Sequence, residues 1–194
     1  MFAMPTPRLV FLFSGHLIDA PDRAQPRFPL AQEPVAAAAI AAALDDCGAS
    51  ADDLALTQGA AGGDLQFCEA ALQRGLRVQL LQPFREAEFL LRSVHPCPGN
   101  WGARYAAVAA RLAEPPRAVQ DVRGPLAPEA SPYEACNLWL LDEALSYGAA
   151  RLRFICLWNG GGGDGPGGTA HMVEAVRRAG GQVSWLDTRE LFRI

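Results

Sequence analysis

The stretch from Leu152 to His171 constrains the fold of this chain more than any other. An apolar, strand-like run over 152–158 feeds Asn-Gly-Gly-Gly-Gly-Asp-Gly-Pro-Gly-Gly, and a helix-like run then opens at Thr169. A loop with almost no Cβ atoms lets backbone N–H groups approach an anion, and the helix behind it adds the positive end of its dipole. The segment therefore reads as a phosphate cradle. A second glycine turn, Thr57-Gln58-Gly59-Ala60-Ala61-Gly62-Gly63-Asp64, also sits between a strand-like and a helix-like run. Two such turns favour a nucleotide-sized ligand.

The remainder of the chain repeats this alternation. Arg8–Phe13 is apolar without a period of two, the pattern of a strand buried on both faces, and it ends at Ser14-Gly15-His16. A proline-rich surface loop is expected over 17–32, followed by an alanine-rich helix over 33–46 closed by Gly48. Strands are expected over 53–57, 76–81 and 182–186, and a short fourth strand over 117–121. Amphipathic runs predict helices over 64–74, 84–94, 101–112, 132–147 (with Ser131 as its cap) and 169–179. Strand and helix alternating throughout imply a single α/β domain over 1–194, a Rossmann-like parallel sheet with helices on both faces. Ligands of such open sheets bind beyond the carboxyl ends of the strands, where Ser14–His16, Gln58–Gly63, Pro83–Phe84 and Asn159–Thr169 would converge.

Composition narrows the partners. With 194 residues, half of them hydrophobic, one sizeable core is expected. A net charge of −4 argues against nucleic acid, and no apolar run is long enough to span a membrane. All 17 basic residues are arginines, which removes lysine-dependent Schiff-base and P-loop chemistry. The 5 cysteines, odd in number and without a C-x-x-C pair, suit buried thiols in a reducing cytoplasm. His95 and Cys97 flank prolines without a second ligand pair, so no metal is expected.

Candidate ligand-binding residues follow from the turns. Gly160, Gly161, Gly165, Gly167 and Gly168 would offer amides, beside Asn159. Thr169 would donate its hydroxyl to a phosphate oxygen or cap the last helix. Ser14, Gly15 and His16 would reach a ligand from the first strand, and Gln58, Gly59, Gly62 and Gly63 from the second. Asp64 is either an N-cap or a hydrogen-bonding carboxylate, whereas Glu69 should be solvated. Asn137 lies in an apolar run and must find partners in the backbone or a ligand, and Trp101 and Trp158 are either core or base-stacking rings. Glu174, four before Arg178, fits an exposed helical ion pair with His171 nearby.

Taken together, Ser14-Gly15-His16, Gly59-Ala-Ala-Gly-Gly-Asp64 with Glu69, Gln82-Pro83-Phe84 with Glu88-Phe89, and Gly165-Pro-Gly-Gly-Thr169 resemble the SMF/DprA-LOG superfamily over nearly the whole chain. The resemblance implies a Rossmannoid domain that binds nucleotides or nucleotide-derived messengers without a required cofactor. It also implies self-association or fusion to an effector module, and it favours Asp64 as a partner of a ribose or base. In the Lonely Guy branch it implies hydrolysis of the N-glycosidic bond of a nucleoside monophosphate, with Asp64 as the acid to consider here. Those enzymes carry one residue between Pro-Gly-Gly and Gly-Thr and a glutamate three after the threonine. Here Thr169 follows Pro166-Gly167-Gly168 directly, and Glu174, five positions on, is turned about 140° away on a helix.

Overall fold

The computed structural model describes residues 6–161 and 168–193. Its six strands are β1 (Val10–Gly15), β2 (Leu54–Thr57), β3 (Arg77–Gln82), β4 (Arg117–Ala118), β5 (Leu152–Trp158) and β6 (Gln182–Asp187). They form one all-parallel sheet in the order β4-β3-β2-β1-β5-β6. The helices are α1 (Glu33–Asp46), α2 (Gly63–Gln73), α3 (Glu86–Ser93), α4 (Trp101–Ala109), α5 (Val119–Arg123), α6 (Pro132–Ser146), α7 (Thr169–Ala179) and α8 (Thr188–Phe192). The chain builds outward from β1 to β4, then returns through α6 to the other side of β1 and adds β5 and β6. The order reverses between β1 and β5, where a doubly wound sheet opens a crevice at its carboxyl edge.

Side chains of each central strand alternate between two cores. Phe11, Phe13, Ala55, Val78, Leu80, Ile155 and Leu157 pack with α1, α2 and α4. Val10, Leu12, Leu54, Leu56, Leu81, Phe154 and Cys156 pack with α6 and α7 on the opposite face. This double burial explains why the strands read as unbroken apolar runs. Helix ends follow local chemistry: the Ser131 hydroxyl accepts from the Glu134 amide at the start of α6. At the end of α7, left-handed Gly180 (φ 85°) lets the amides of Gly180 and Gly181 reach the carbonyls of Arg177 and Val176.

Two expectations change and a third gains detail. The strand expected over 117–121 is only two residues long: Arg117 and Ala118 pair with Leu81 and Gln82, and Val119 then turns into the core at the head of α5. The helix α8 has no counterpart in the hydrophobic pattern; Asp187 caps it through the Arg189 amide, and Phe192 stacks on Phe28 at 5.4 Å. The proline-rich segment 17–32 runs over the surface, with residues 20–26 exposed, but it is pinned to the protein at two points. Ile18 and Phe28 are buried, and Asp19 accepts from the amides of Arg27 and Phe28, both at 2.7 Å, closing the loop on itself.

Candidate functional site

A cleft of about 350 Å³ opens at the carboxyl edge of the sheet, beside the β1–β5 reversal. Of the residues expected there, Ser14, Gly15, Gln58, Asp64, Asn137, Gly168 and Thr169 line it. Two polar pairs bridge its elements. The Ser14 and Thr169 hydroxyls lie 3.2 Å apart, linking β1 to the start of α7. The Gln58 amide donates to Asn137 Oδ1 at 2.6 Å, linking the β2 turn to α6. The polar partner Asn137 requires on its apolar helix is therefore a side chain of the same cleft.

The glycines of the β2 turn serve the protein's own packing. A Cβ on Gly62 (φ 103°) would lie 2.8 Å from the Ile18 backbone nitrogen and 3.0 Å from the His16 carbonyl, because the turn bridges the backbone at Leu17. A Cβ on Gly63 would meet the Phe13 ring at 3.1 Å, and on Gly15 the same ring at 2.8 Å. Gly59 (φ 84°) sits over Leu80. The amides are also engaged: Ala60 donates to Asp64, Ala61 to the Ser93 carbonyl and Gly63 to the His16 carbonyl. This turn accordingly presents side chains to the cleft, and most of its N–H groups point into protein.

Asp64 is the chemically distinctive group. It is the second residue of α2, with Gly62 as N-cap, so it is not the cap that its position after two glycines suggests. Its carboxyl is 7% exposed, and burial pushes its pKa up to about 7 against the opposing pull of the Ala60 amide, then the Thr57 hydroxyl and the amides of Gly59 and Gln58. The Thr57 hydroxyl is fully buried and makes no well-formed hydrogen bond with any described residue. Asp64 in turn helps burial keep the thiols of Cys68 and Cys136 protonated.

The β5 side divides in two. Gly168 and Thr169 face the cleft, whereas Asn159, Gly160 and Gly161 are not among its lining residues. The Asn159 amide donates to His16 Nε2 at 3.1 Å, and the Gly161 amide to Asn159 Oδ1 at 3.1 Å. Gly160 (φ 72°) packs under Trp185 and Arg189, and the Trp158 indole donates to the Gly161 carbonyl. Gly165 and Gly167 lie outside the described residues. His16 is buried and holds the start of the loop; Nε2 is the acceptor, so that nitrogen carries no proton. At α7 itself, N-cap Gly168 brings no side-chain oxygen, and no acid stands in the first turn. Within its own first turn this helix therefore offers no carboxylate to its positive end.

Other side chains take different places from those expected. Glu69 is not merely solvated: with Glu33 it clasps Arg104, whose guanidinium also stacks on Trp101 at 4.1 Å. Trp101 is 1% exposed and belongs to the core. Trp158 packs against Trp185, ring centroids 5.5 Å apart, and is not among the residues that line the cleft. Glu174 pairs with Arg178 at 3.8 Å in solvent. Among the described residues no group of three or more metal-ligating side chains comes together.

Arg27, Ser93 and Tyr133 also line the cleft, and sequence reasoning passed over all three. Arg27 is the one cation among the described lining residues, carried there by the closed loop that Asp19 ties. The signal available was Phe28, the lone aromatic residue of a proline-rich segment, which marks where that segment is anchored. No known family model matches this chain, and no curated protein matches it.

Proposed function

We propose that this chain binds a nucleotide or nucleotide-derived small molecule in the cleft at the carboxyl ends of β1 and β2, with its phosphate at Gly168 and Thr169. The observation that carries this reading is the N-terminus of α7, with no acid in its first turn, opening into a polar cleft at the reversal of strand order. Arg27 adds a positive charge to the same cleft, and Ser14, Gln58 and Asn137 add polar groups for a sugar or base. The likeness to the SMF/DprA-LOG superfamily supports the same ligand class, as the five free thiols support a cytoplasmic setting. No described helix is long and apolar enough to cross a membrane. Sensing, with the bound state passed to a second copy or an effector module, is the role this reading assigns.

Asp64 favours one alternative. A carboxyl with a pKa of about 7 in a cleft can give up a proton at neutral pH, which an N-glycosidic hydrolase requires of its acid. Calorimetric titration with nucleoside phosphates, ADP-ribose, NAD and cyclic oligonucleotides tests the binding reading. At least one should bind, and Arg27→Ala should weaken it about tenfold to a hundredfold, the usual value of a charged hydrogen bond. Silence across the panel sinks the proposal. Base release that disappears in Asp64→Asn makes the protein a hydrolase; binding without turnover leaves a sensor.

A further inference from the structure

A nucleotide has two chemically different ends, and so does the cleft. One wall is the start of α7, with hydroxyls and amides. The other carries Tyr133, a residue 40% exposed although its side chain is held from several directions. Its hydroxyl lies 3.1 Å from that of Ser93, a buried residue whose carbonyl in turn holds the Ala61 amide of the β2 turn. Its ring meets Phe84 in a T-shaped contact, centroids 5.3 Å apart and planes at 84°. Phe84 is itself covered by the Arg92 guanidinium at 4.7 Å. The backbone of Tyr133 is fixed in the first turn of α6 by Pro132 and the Ser131 cap.

An aromatic ring left in contact with water forgoes most of its hydrophobic stabilisation, and a flexible one would fold back onto the protein. A ring fixed in place yet open to a polar cleft has its ordering cost met before any ligand arrives. We infer that Tyr133 is the platform on which the base of the bound nucleotide stacks, while the phosphate occupies the start of α7. This inference rests on the nucleotide reading of the cleft and adds the part of the ligand that Tyr133 reads. It also sets a size: about 350 Å³ is near the lower end for small-molecule sites, which suits one base, one sugar and one phosphate better than a dinucleotide.

The test separates base from phosphate. The intact chain is titrated with adenosine, guanosine, cytidine and uridine 5′-monophosphates and with ribose 5-phosphate, which has the sugar and phosphate but no base. The best monophosphate should bind about tenfold to a hundredfold tighter than ribose 5-phosphate, the range measured for stacking one base on an aromatic side chain. Tyr133→Leu should abolish that advantage and leave ribose 5-phosphate within about threefold of its original affinity, which also shows that the variant is folded. Tyr133→Phe, which keeps the ring, should retain it. Equal affinity of the unaltered protein for monophosphates and ribose 5-phosphate overturns the platform and leaves the phosphate site standing. So does a Tyr133→Leu variant that keeps the base advantage or weakens every ligand alike. No binding by any of the five compounds overturns the nucleotide reading itself, and the platform with it.

Discussion

The β2–α2 turn and the β5–α7 connection have the same setting, a parallel strand leading through glycines into a helix, and the two do opposite things with it. In the first, the amides of Ala60, Ala61 and Gly63 are taken by Asp64, Ser93 and His16, and the helix carries an acid in its opening turn. In the second, Asn159 and Gly161 are satisfied locally, but α7 starts at a glycine cap with no acid and faces the cleft. Glycine content is therefore a poor guide to anion binding. Glycines admit close approach, and what approaches is either a ligand or another piece of the backbone. Only the destination of the N–H groups tells the two apart.

The sharpest way to break this contrast is to add one methyl group to each turn. Gly62 combines a φ of 103° with a Cβ position 2.8 Å from the Ile18 nitrogen. Backbone strain and overpacking then add, so Gly62→Ala should cost about 4–5 kcal/mol, enough to unfold a protein of ordinary stability. Gly168 has φ −67° and ψ 174°, open to any residue. Gly168→Ala should change stability by less than about 1 kcal/mol and act on ligand affinity instead. Urea denaturation of both variants decides the matter; similar losses from both would mean that the two turns are structurally equivalent after all.

Asp64 sharpens the comparison by pH. Its folded-state pKa, about 7, stands above the value near 3.9 of an unfolded aspartate. The folded state therefore keeps its proton where the unfolded state has lost it. The associated stability is complete below about pH 4, falls as pH rises, and is fully lost once pH passes 7. The whole effect is about 4 kcal/mol, at about 1.4 kcal/mol per pH unit. Asp64→Asn should flatten that slope and leave a protein more stable than the original at pH 8. No difference in slope between the two, measured by urea denaturation from pH 4 to pH 8, would show the carboxyl to be better solvated than its burial indicates. No acid stands in the first turn of α7.

Much of this was legible in the sequence. The bounds of α1, β5 and α7 follow directly from composition, caps and terminal glycines, and the two-sided core follows from apolar strands without alternation. The site was legible where it depends on topology: Ser14, Gln58, Asp64 and Thr169 meet because strand ends meet. It was illegible where it depends on long-range folding of irregular chain. Arg27 reaches the cleft only because Asp19 closes a proline-rich loop and Phe28 anchors it against α8, an element with no periodicity of its own. Tyr133 could not be told from a core aromatic, since its exposure is set by Ser93 and Phe84 from another part of the chain. The roles of Gly62 and Gly63 were hidden for the same reason: the ring and backbone that crowd them come from β1 and its turn.

The smallest effect concerns a side-chain link between β1 and the start of α7, the hydroxyl pair of Ser14 and Thr169 at 3.2 Å. A neutral hydrogen bond of this kind contributes about 1 kcal/mol, so Ser14→Ala and Thr169→Ala should each lower stability by no more than that. Their roles part on binding. If the Thr169 hydroxyl turns from Ser14 to a phosphate oxygen when ligand arrives, Thr169→Ala should weaken ribose 5-phosphate about threefold to tenfold, and more than Ser14→Ala does. Thr169→Ser, which keeps the oxygen, should restore the affinity. A double-mutant cycle between the two positions gives the free-protein coupling, and its disappearance in the ligand-saturated state is the signature of that exchange. Equal coupling with and without ligand would mean that the pair is a fixed clamp between β1 and α7, with phosphate recognition left to the helix amides and Arg27.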